Sequence, residues 1–328
     1  MTEITKLFSL ILLIIHNNIF LLIKNLILCF ILAIILMAKA QALDVGDIVS
    51  NKVDKIKSEK IDEYVSNLVG QAFGNESIQE LIPGQGLTEV SIQLRESYKP
   101  DFSILAVREL NRNNNGNTFL QVSLFNTEVQ NKERFTGNLG FGKRFLSDDK
   151  FLMTGFNTFL DYDSYGNTRG SIGGELKNAT FGLTSNYYKK IKDGKDFEKV
   201  LDGYDVQLTS QIPHLHWANV FVNHYKWYGV ERDDIEGRKY GSELSLLPSF
   251  NLEVAYDDKT RKGLEDEYYV KLNYVYPPRK KISTALDGVS KTMWVEKKDM
   301  TDQLLTKVRR QNKIMVEMAG SASISRLD

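Results

Sequence analysis

The sequence predicts an all-β transmembrane protein, in which twelve antiparallel strands close into a barrel. Three observations predict this fold: segments in which apolar and polar residues alternate, an apolar N-terminus typical of an export signal, and tyrosines near the segment ends. Hydrophobic residues are 42% and charged residues 26% of the 328 residues, which excludes both a disordered chain and a bundle of membrane-spanning helices. Lys plus Arg and Asp plus Glu each number 42, and this balance argues against a nucleic-acid-binding protein.

Residues 1–42 form the predicted signal peptide. The apolar run 26–38 precedes small residues at Ala40 and Ala42, which suit signal cleavage. This run is shorter than the roughly 20 residues that a membrane-spanning helix needs. The alternative is an uncleaved anchor built from this run and an earlier apolar one. The one cysteine, Cys29, lies in this segment, so the exported chain would hold no disulfide and no cysteine-based metal site.

Residues 43–87 are predicted to be a periplasmic N-terminal segment with a short amphipathic helix. Ile61, Val65 and Leu68 recur there at helical spacing in a polar stretch. From residue 88 the apolar period changes to two, which is the side-chain period of a β-strand.

Alternating segments between residues 88 and 276 predict the transmembrane β-barrel. In one of them, Phe181, Leu183 and Tyr187 alternate with polar or small residues. The predicted strands are 88–95, 101–109, 117–126, 132–145, 150–163, 167–177, 178–189, 203–212, 216–228, 238–247, 249–257 and 265–276. Several reach the length that a tilted strand needs to cross a bilayer, about nine residues.

A soluble β-sandwich would show the same alternation as a membrane barrel. Strand length, the even number of strands and tyrosines such as Tyr162 and Tyr228 near strand ends favour the barrel, in which aromatic side chains form interfacial girdles. In hydrocarbon every backbone polar group must be paired, so the sheet has to close on itself. The polar side chains would then face the lumen.

The lengths of the connections support an alternation of short turns with longer outer loops. The connections at 213–215 and 247–249 are short, whereas 189–202 and 229–237 are long. This alternation is expected when both ends of the barrel sequence lie in the periplasm. The stretch 110–116 (LNRNNNG) departs from the rule, because it should be a turn but is long and rich in asparagine.

The run 151–176 (FLMTGFNTFLDYDSYGNTRGSIGGEL) resembles the signature of the inverse autotransporter β-domain, the barrel of the intimin/invasin family. Similar stretches are 137–146, 203–213 and 250–276, and the likeness covers about residues 70–318. The signature positions are Gly155, Asn157, Phe159, Asp161, Asp163, Asn167, Arg169, Gly173, Gly174 and Glu175.

The resemblance implies that a linker threads the lumen from the periplasmic side and that a passenger is displayed outside the cell. Residues 277–320 fit this linker, and their charged stretch 294–310 predicts a lumenal helix. The linker positions singled out by the resemblance are Arg309, Arg310, Asn312, Ile314 and Glu317. The candidate lumenal partners of the linker cations are Glu175, Asp205, Glu243 and Glu253. The alternative is a periplasmic helix that packs outside the pore.

The last strand carries aromatic or apolar side chains at a two-residue interval up to the end of the barrel. The positions are Tyr268, Leu272, Tyr274 and Tyr276. They resemble the C-terminal β-signal that the barrel-assembly machinery recognises, although any lipid-facing strand would look alike. The expected partners are outer-membrane lipid, the Sec translocon and the barrel-assembly machinery, with no nucleic acid. The expected location is the outer membrane of a Gram-negative-type bacterium.

The segment Ser321–Asp328 follows the linker, and so short a segment cannot bury a core. No passenger domain is therefore expected, and cell adhesion is not carried over from the family. The expected function is that of an inverse autotransporter barrel for translocation and anchoring, here lacking a passenger. The alternative is a stand-alone porin-like or structural barrel that acts through its own pore and loops.

No enzymatic activity is expected, and no catalytic, cofactor-binding or metal-binding residue is assigned. His224 lies next to Asn223, but no serine motif accompanies them. His214 and His216 flank a turn, and without a third ligand nearby they are a weak metal site.

Overall fold

The computed structural model of the protein describes residues 84–95, 100–129, 132–260, 266–295 and 298–318. The predicted signal peptide, the predicted periplasmic helix and the segment Ser321–Asp328 lie outside the described residues. No helix in the described part of the chain is long and apolar enough to cross a membrane.

Twelve antiparallel strands form a closed barrel, which confirms the predicted fold. They are β1 (Gly86–Arg95), β2 (Asp101–Asn113), β3 (Gly116–Val129), β4 (Lys132–Leu146), β5 (Met153–Asp163), β6 (Thr168–Lys177), β7 (Phe181–Lys192), β9 (Asp202–Ile212), β10 (Leu215–Tyr228), β11 (Ile235–Leu247), β12 (Phe250–Lys259) and β13 (Glu267–Tyr276). The sheet closes where β1 pairs with β13, with Thr88 opposite Tyr276. Two further strands, β8 (Glu198–Val200) and β14 (Val316–Met318), form a separate sheet that the sequence did not predict.

The two ends of the barrel differ in their connections. We call one the turn end; it carries the start of β1 at Gly86 and the end of β13 at Tyr276, with tight connections such as 213–214. The opposite end is the loop end, and it carries the longer connections 193–201 and 229–234. In the C-terminal half this is the alternation that the sequence predicted. In the N-terminal half it does not hold, because the turn-end connection 147–152 is as long as 229–234, while only two residues separate β3 from β4 at the loop end.

The stretch 110–116 holds a tight turn between two strands and not a long loop, so the departure inferred from the sequence was wrong. β2 continues to Asn113, the chain turns at 114–115, and β3 begins at Gly116. A Cβ atom at Gly116 would lie 2.0 Å from the carbonyl oxygen of Arg144. The asparagines therefore extend a strand and build its hairpin turn, and Gly116 after the turn leaves room for the close approach of the β3 and β4 backbones.

Side chains of the strands alternate between a polar lumen and an apolar outer face. In β5, Asn157 and Asp161 point into the lumen and are buried, whereas Phe156, Leu160 and Tyr162 are 68%, 49% and 58% exposed outside. Other exposed apolar side chains of the strands are Leu124, Phe135, Leu139, Phe141, Ile172, Leu183, Tyr187, Leu208, Val222, Tyr228, Tyr240, Val254 and Tyr268. Such an outer face suits lipid, and the lumen takes the polar side chains as predicted.

Six aromatic side chains that point into the barrel each lie directly opposite a glycine on a neighbouring strand. The pairs are Phe119–Gly142, Phe159–Gly140, Phe221–Gly241, Tyr225–Gly237, Trp227–Gly203 and Tyr188–Gly203. A Cβ atom at Gly140 would lie 2.0 Å from Cε1 of Phe159. The glycines therefore make room for rings that lie against the opposite backbone and fill the lumen beside the linker.

Replacing Gly140 with alanine is expected to destabilise the barrel by about 1–3 kcal/mol, because the ring of Phe159 must leave its place. Urea unfolding of the refolded protein in detergent micelles measures this loss. Gly174→Ala is the matched control, since a Cβ atom there has no neighbour closer than 4.0 Å. Equal unfolding midpoints for both variants would contradict the packing role of Gly140.

The linker runs through the lumen from the turn end to the loop end. Near the turn end, the Ser290 amide donates a hydrogen bond to the carbonyl oxygen of His214 at 2.7 Å. Further along, Val308 is buried inside the barrel against Phe119 and Phe159. At the loop end the linker becomes β14 and pairs with β8. The alternative in which the linker packs outside the pore is therefore wrong.

The predicted lumenal helix is also wrong for the described part of the linker. That part contains two short 3-10 helices, Ala285–Asp287 and Met300–Gln303, and residues 304–315 are neither helix nor strand. Barrel side chains bind the backbone groups of this stretch, and an α-helix would need those groups for its own hydrogen bonds.

Candidate functional site in the barrel lumen

The backbone of the linker is bound by polar side chains of the barrel wall. Arg144 donates to the carbonyl oxygens of Leu304 and Thr306, each at 2.7 Å. Further bonds run from Val308 N to Gln121 Oε1 (2.8 Å), Asn186 Nδ2 to Arg309 O (2.9 Å), Arg169 Nη2 to Gln311 O (2.7 Å) and Asn138 Nδ2 to Asn312 O (2.9 Å). An extended chain cannot pair its own backbone groups, so the lumen supplies their partners.

Asp161 of the signature lies at the centre of this contact and is fully buried. Arg310 of the linker donates to both of its carboxylate oxygens, at 2.9 Å and 2.7 Å. Arg169 of β6 binds the same carboxylate at 2.8 Å, and Asn138 donates to it at 2.7 Å. Ser171 accepts a further bond from Arg310 at 3.0 Å. One barrel carboxylate thus joins β4, β5 and β6 to the linker through a bidentate, charge-assisted contact.

Aromatic rings surround the two guanidinium groups. Arg310 stacks over Phe159 with its Cζ atom 4.2 Å from the ring centre, and Arg169 lies 4.4 Å from the ring centre of Tyr188. The Tyr188 hydroxyl donates to Asp205 at 2.5 Å and accepts a bond from the Gln311 amide at 2.7 Å. The rings orient the buried cations and exclude water from them, which strengthens their pairing with Asp161.

A second set of ion pairs binds the linker to the opposite wall. Lys307 Nζ lies 2.6 Å from Glu89 of β1. Arg309 pairs with Glu243 of β11 and lies 3.9 Å from Glu253 of β12. Glu243 and Glu253 were among the predicted partners of the linker, and these contacts confirm them.

The other two predicted carboxylate partners bind barrel residues instead. Glu175 accepts from Arg144 at 2.5 Å and lies 2.6 Å from Lys177. Asp205 accepts bonds from Tyr188 and Asn186. Both carboxylates therefore hold side chains that in turn bind the linker backbone, and the prediction of direct ion pairs was wrong for them.

At the loop end, two signature residues organise the connections. Asn167 donates to Asp163 at 2.9 Å and to Glu198 of β8 at 2.5 Å. Arg134 of β4 donates to Asp163 at 2.8 Å and also pairs with Glu198. The four side chains are buried, and they fix β8 over the mouth of the barrel.

The fixed strand β8 in turn receives the end of the linker. Val316 lies opposite Val200, and Ile314 packs with both of them. On the other side of β14, the Glu317 carboxylate accepts the amides of Val230 at 3.1 Å and Glu231 at 2.6 Å. The linker thus leaves the barrel between β8 and the connection 229–234.

Asp193, the first residue of the connection 193–201, binds strand β8, which lies in the same connection. Its carboxylate accepts the amide of Val200 at 2.9 Å and a bond from Lys190 at 3.1 Å. Partial burial raises the pKa of Asp193, but the bonds from Val200 and Lys190 outweigh burial and hold the pKa below its usual value. The ionised carboxylate of Asp193 therefore stabilises the folded protein at neutral pH, and this stabilisation is lost as the pH falls through the lowered pKa.

Replacing Glu198 with alanine is expected to release β8, because β8 then loses its buried bonds to Arg134 and Asn167, while Arg134 keeps only its pair with Asp163. Trypsin should then cut the connection 193–201 of the folded barrel severalfold faster. Glu231→Ala is the matched control, since its side chain is exposed and its binding to Glu317 uses the backbone amide. Unchanged cleavage in Glu198→Ala would show that Glu198 does not hold β8.

The histidines of the H-x-H pair bind the linker at the turn end. His214 Nδ1 lies 3.1 Å from the carbonyl oxygen of Ser290, and His216 Nε2 lies 3.1 Å from that of Thr292. Trp217 also donates to Gly288 O at 2.8 Å. Among the described residues no group of three or more His, Cys, Asp or Glu side chains is arranged to hold a metal.

His224 and Asn223 do not form a common site. Asn223 lines the lumen, and His224, as the next residue of the strand, points to the outer face. There its Nε2 lies 3.4 Å from the hydroxyl of Tyr204.

The remaining signature residues shape the wall around the linker. A Cβ atom at Gly155 would lie 2.7 Å from Glu175, and one at Gly173 would lie 2.4 Å from Asn186, so both glycines leave room for side chains that face the lumen. Asn157 points into the same space. Nothing in the structure explains a glycine at Gly174.

The positions of the predicted β-signal share the outer face of β13. Tyr268 is 60% exposed and stacks with Tyr256 at 4.7 Å between ring centres. Tyr274 is buried and contacts Phe250, with the ring centres 5.1 Å apart. Leu272 and Tyr276 are half-buried.

Several residues of this site were missed by the sequence analysis. Those that bind the linker are Gln121, Asn138, Arg144, Asn186 and Tyr188, and those that hold β8 are Arg134 and Glu198. In β4 a signal was present, because Arg134, Asn138 and Arg144 share the inward parity of the strand. Parity identifies side chains that face the lumen, but it does not say which of them reach the linker.

Comparison with known protein families identifies the domain to which the barrel and linker correspond. The family model for the inverse autotransporter β-domain matches residues 40–312. That range contains the barrel and the linker up to Asn312. No curated protein sequence matches the chain.

Solved outer-membrane barrels resemble the structure. One chain, from work described as "Unveiling the Mechanism Behind the in-meso Crystallization of Membrane Proteins", is 20% identical with a TM-score of 0.54, and the match covers 70% of this chain and 99% of that chain. The KdgM porin is 9% identical with a TM-score of 0.39, over 57% of this chain and 98% of the porin. Outer membrane phospholipase A from Escherichia coli is 11% identical with a TM-score of 0.37, over 57% and 91% of the two chains. At such identities the likeness concerns the fold alone.

Proposed function

Because this chain belongs to the inverse autotransporter β-domain family and is a bacterial outer-membrane β-barrel, we propose that it threads its C-terminal segment to the cell surface and anchors it there. The observation that carries the proposal is the path of the linker. It enters at the turn end near His214, crosses the lumen bound to Asp161 through Arg310, and reaches the loop end as β14.

The contacts of the linker support a role as an anchor after threading. Most of its backbone bonds come from side chains of the wall and do not depend on linker side chains, so many sequences can pass through the same lumen. Arg310 is different, because its bidentate pairing with Asp161 needs a guanidinium at that position. We infer that this pair sets where threading stops.

The orientation and biogenesis follow from the same proposal. The turn end would face the periplasm and the loop end the cell exterior, as expected when both ends of the barrel sequence start from the periplasm. Export by the Sec translocon and insertion by the barrel-assembly machinery would precede threading. The outer face of β13, with Tyr268 and Tyr276, would serve as the recognition signal.

An epitope tag added after Asp328 is expected to be accessible to antibody on intact cells, and external protease should remove it. Accessibility would show that the segment after β14 crosses to the outside. A tag inserted in 229–234 is the control for an outer position, and a tag inserted after the exposed Asp148 at the turn end is the control for a hidden one. A tag after Asp328 that is hidden while the 229–234 tag is accessible would contradict threading.

A porin-like or structural barrel is the second candidate function. The observation in its favour is that cavities of about 150 Å³ and 280 Å³ remain in the lumen beside the linker. Conduction by the intact chain would favour this candidate, because a lumen filled by the anchored linker passes few ions. We further propose that the barrel has no enzymatic activity, and measurable phospholipid hydrolysis by the purified chain would overturn this.

A further inference from the structure

The linker does not fill the lumen evenly. Between Leu304 and Asn312 its backbone bonds lie on the wall formed by β3 to β7, where Gln121, Asn138, Arg169 and Asn186 contribute. On the opposite side, polar cavities run between the linker and the wall formed by β1 and β9 to β13. A partial water path thus lies beside the linker.

This path consists of two parts. The part at the turn end has a volume of about 280 Å³ and is lined by polar side chains such as Asn251 and Asn273. The part at the loop end consists of a cavity of about 150 Å³ and a neighbouring cavity of about 140 Å³, and the second cavity reaches Asp101 at the mouth of the barrel. Glu89, Glu253, Lys307 and Arg309 line both parts, so the two parts meet at these four residues.

The wall at this meeting point is acidic. Glu243 of β11 lies directly opposite Glu253 of β12, and Glu89 of β1 lies on the same wall, separated from Glu253 by strand β13. Carboxylates placed directly opposite each other on neighbouring strands destabilise a sheet unless a cation lies between them. Lys271 of β13 lies directly opposite Glu253 and is the barrel cation next to these side chains. The three carboxylates of the wall therefore outnumber the barrel cations beside them.

The linker supplies the missing cations. Lys307 pairs with Glu89 at 2.6 Å, while Arg309 pairs with Glu243 and lies 3.9 Å from Glu253. These ion pairs cross the gap that separates the two cavities. They neutralise the carboxylates and close the path at the same place.

We propose that the carboxylates of Glu89, Glu243 and Glu253 form the constriction of a cation-selective path through the barrel, and that Lys307 and Arg309 of the linker are its gate. Rings of carboxylates favour cations in membrane pores, because they replace part of the hydration shell and repel anions. The path does not require the linker to leave the lumen, because Arg310 and the backbone contacts hold it to the other wall.

The test is single-channel recording of the full-length chain in planar lipid bilayers, with KCl at unequal concentrations on the two sides. The unaltered chain is expected to be closed. The double variant Lys307→Ala, Arg309→Ala is expected to conduct severalfold more, with a reversal potential that shows preference for K⁺ over Cl⁻. Adding Glu243→Gln and Glu253→Gln to that variant should keep the path open and weaken the preference for K⁺.

Lys313→Ala is the matched control, since Lys313 is a linker cation that pairs with Asp101 at the loop end, away from the constriction. Heat-modified mobility on gels confirms that each variant is folded. A closed double variant would overturn the gate, and an open one without cation preference would overturn the carboxylate constriction. Equal opening by Lys313→Ala would show general loosening of the linker and overturn the assignment to Lys307 and Arg309. None of these outcomes depends on threading of the C-terminal segment.

Discussion

Replacing Asp161 with alanine is expected to lower the free energy of unfolding by about 3–5 kcal/mol, because it leaves two buried guanidinium groups without their carboxylate. Arg169 and Arg310 both bind Asp161 at 2.9 Å or less, and all three side chains are inaccessible to solvent. Urea unfolding in detergent micelles measures the loss of stability. Protease digestion of the folded barrel, followed by identification of the cut sites, measures release of the linker.

Two controls separate the role of Asp161 from the loss of a charge in general. Asp148→Asn removes a carboxylate that is exposed at the turn end, and it should leave the unfolding midpoint unchanged. Arg310→Ala removes the linker half of the contact while Arg169 still pairs with Asp161, so a smaller loss of stability is expected. Nearly equal stabilities of Asp161→Ala and the unaltered chain would disprove the central role of this carboxylate.

Deletion of residues 281–328 is expected to raise single-channel conductance sharply. The deletion removes the linker from residue 281 onward, including Arg310 and the cations that pair with Glu89 and Glu243. The wall carboxylates then face water, so the open pore should prefer cations. Planar bilayer recording of the deletion variant beside the full chain measures both quantities.

A control for the deletion is a variant that shortens the loop-end connection between β12 and β13 and leaves the linker intact, such as removal of 262–264. It should leave the conductance low, since the lumen stays filled. Unchanged conductance after deletion of 281–328 would refute a linker that closes the pore. Conductance that rises without any cation preference would instead show that Glu89, Glu243 and Glu253 do not determine ion selection.

The strands of the barrel were predictable because their signal is local. Each inward residue of β5 is followed by an outward one, and Phe156, Leu160 and Tyr162 mark the outer face without reference to any other strand. The hairpin at 114–115 was misjudged, because asparagines are common both in loops and in extended strands that end in tight turns.

The candidate site was predictable in part. The resemblance drew attention to Asp161 and Arg310, which the structure brings into direct contact. It did not indicate that Asn138 and Tyr188 complete the contact, since parity places both in the lumen together with many other polar side chains. Partners separated by more than a hundred residues are assigned by the register of the barrel.

The linker shows most clearly where local sequence fails. Its charged stretch is compatible with a helix, and an isolated segment would satisfy its backbone in that way. In the barrel, Arg144, Gln121 and Asn186 bind the backbone groups that a helix would use for its own hydrogen bonds, so the segment is extended. Strand β14 exists only because Val316 meets β8 at the loop end.

The sequence by itself thus determined the number of barrel strands, the face that each of them presents to lipid and the family of the barrel, because all of these follow from a two-residue period and a local signature. The tertiary structure alone decided the path of the linker and the pairing of Lys307 and Arg309 with Glu89, Glu243 and Glu253. The physical reason is closure of the sheet, which places side chains from distant strands around one lumen. Their charges and hydrogen-bonding groups then face the linker and bind it.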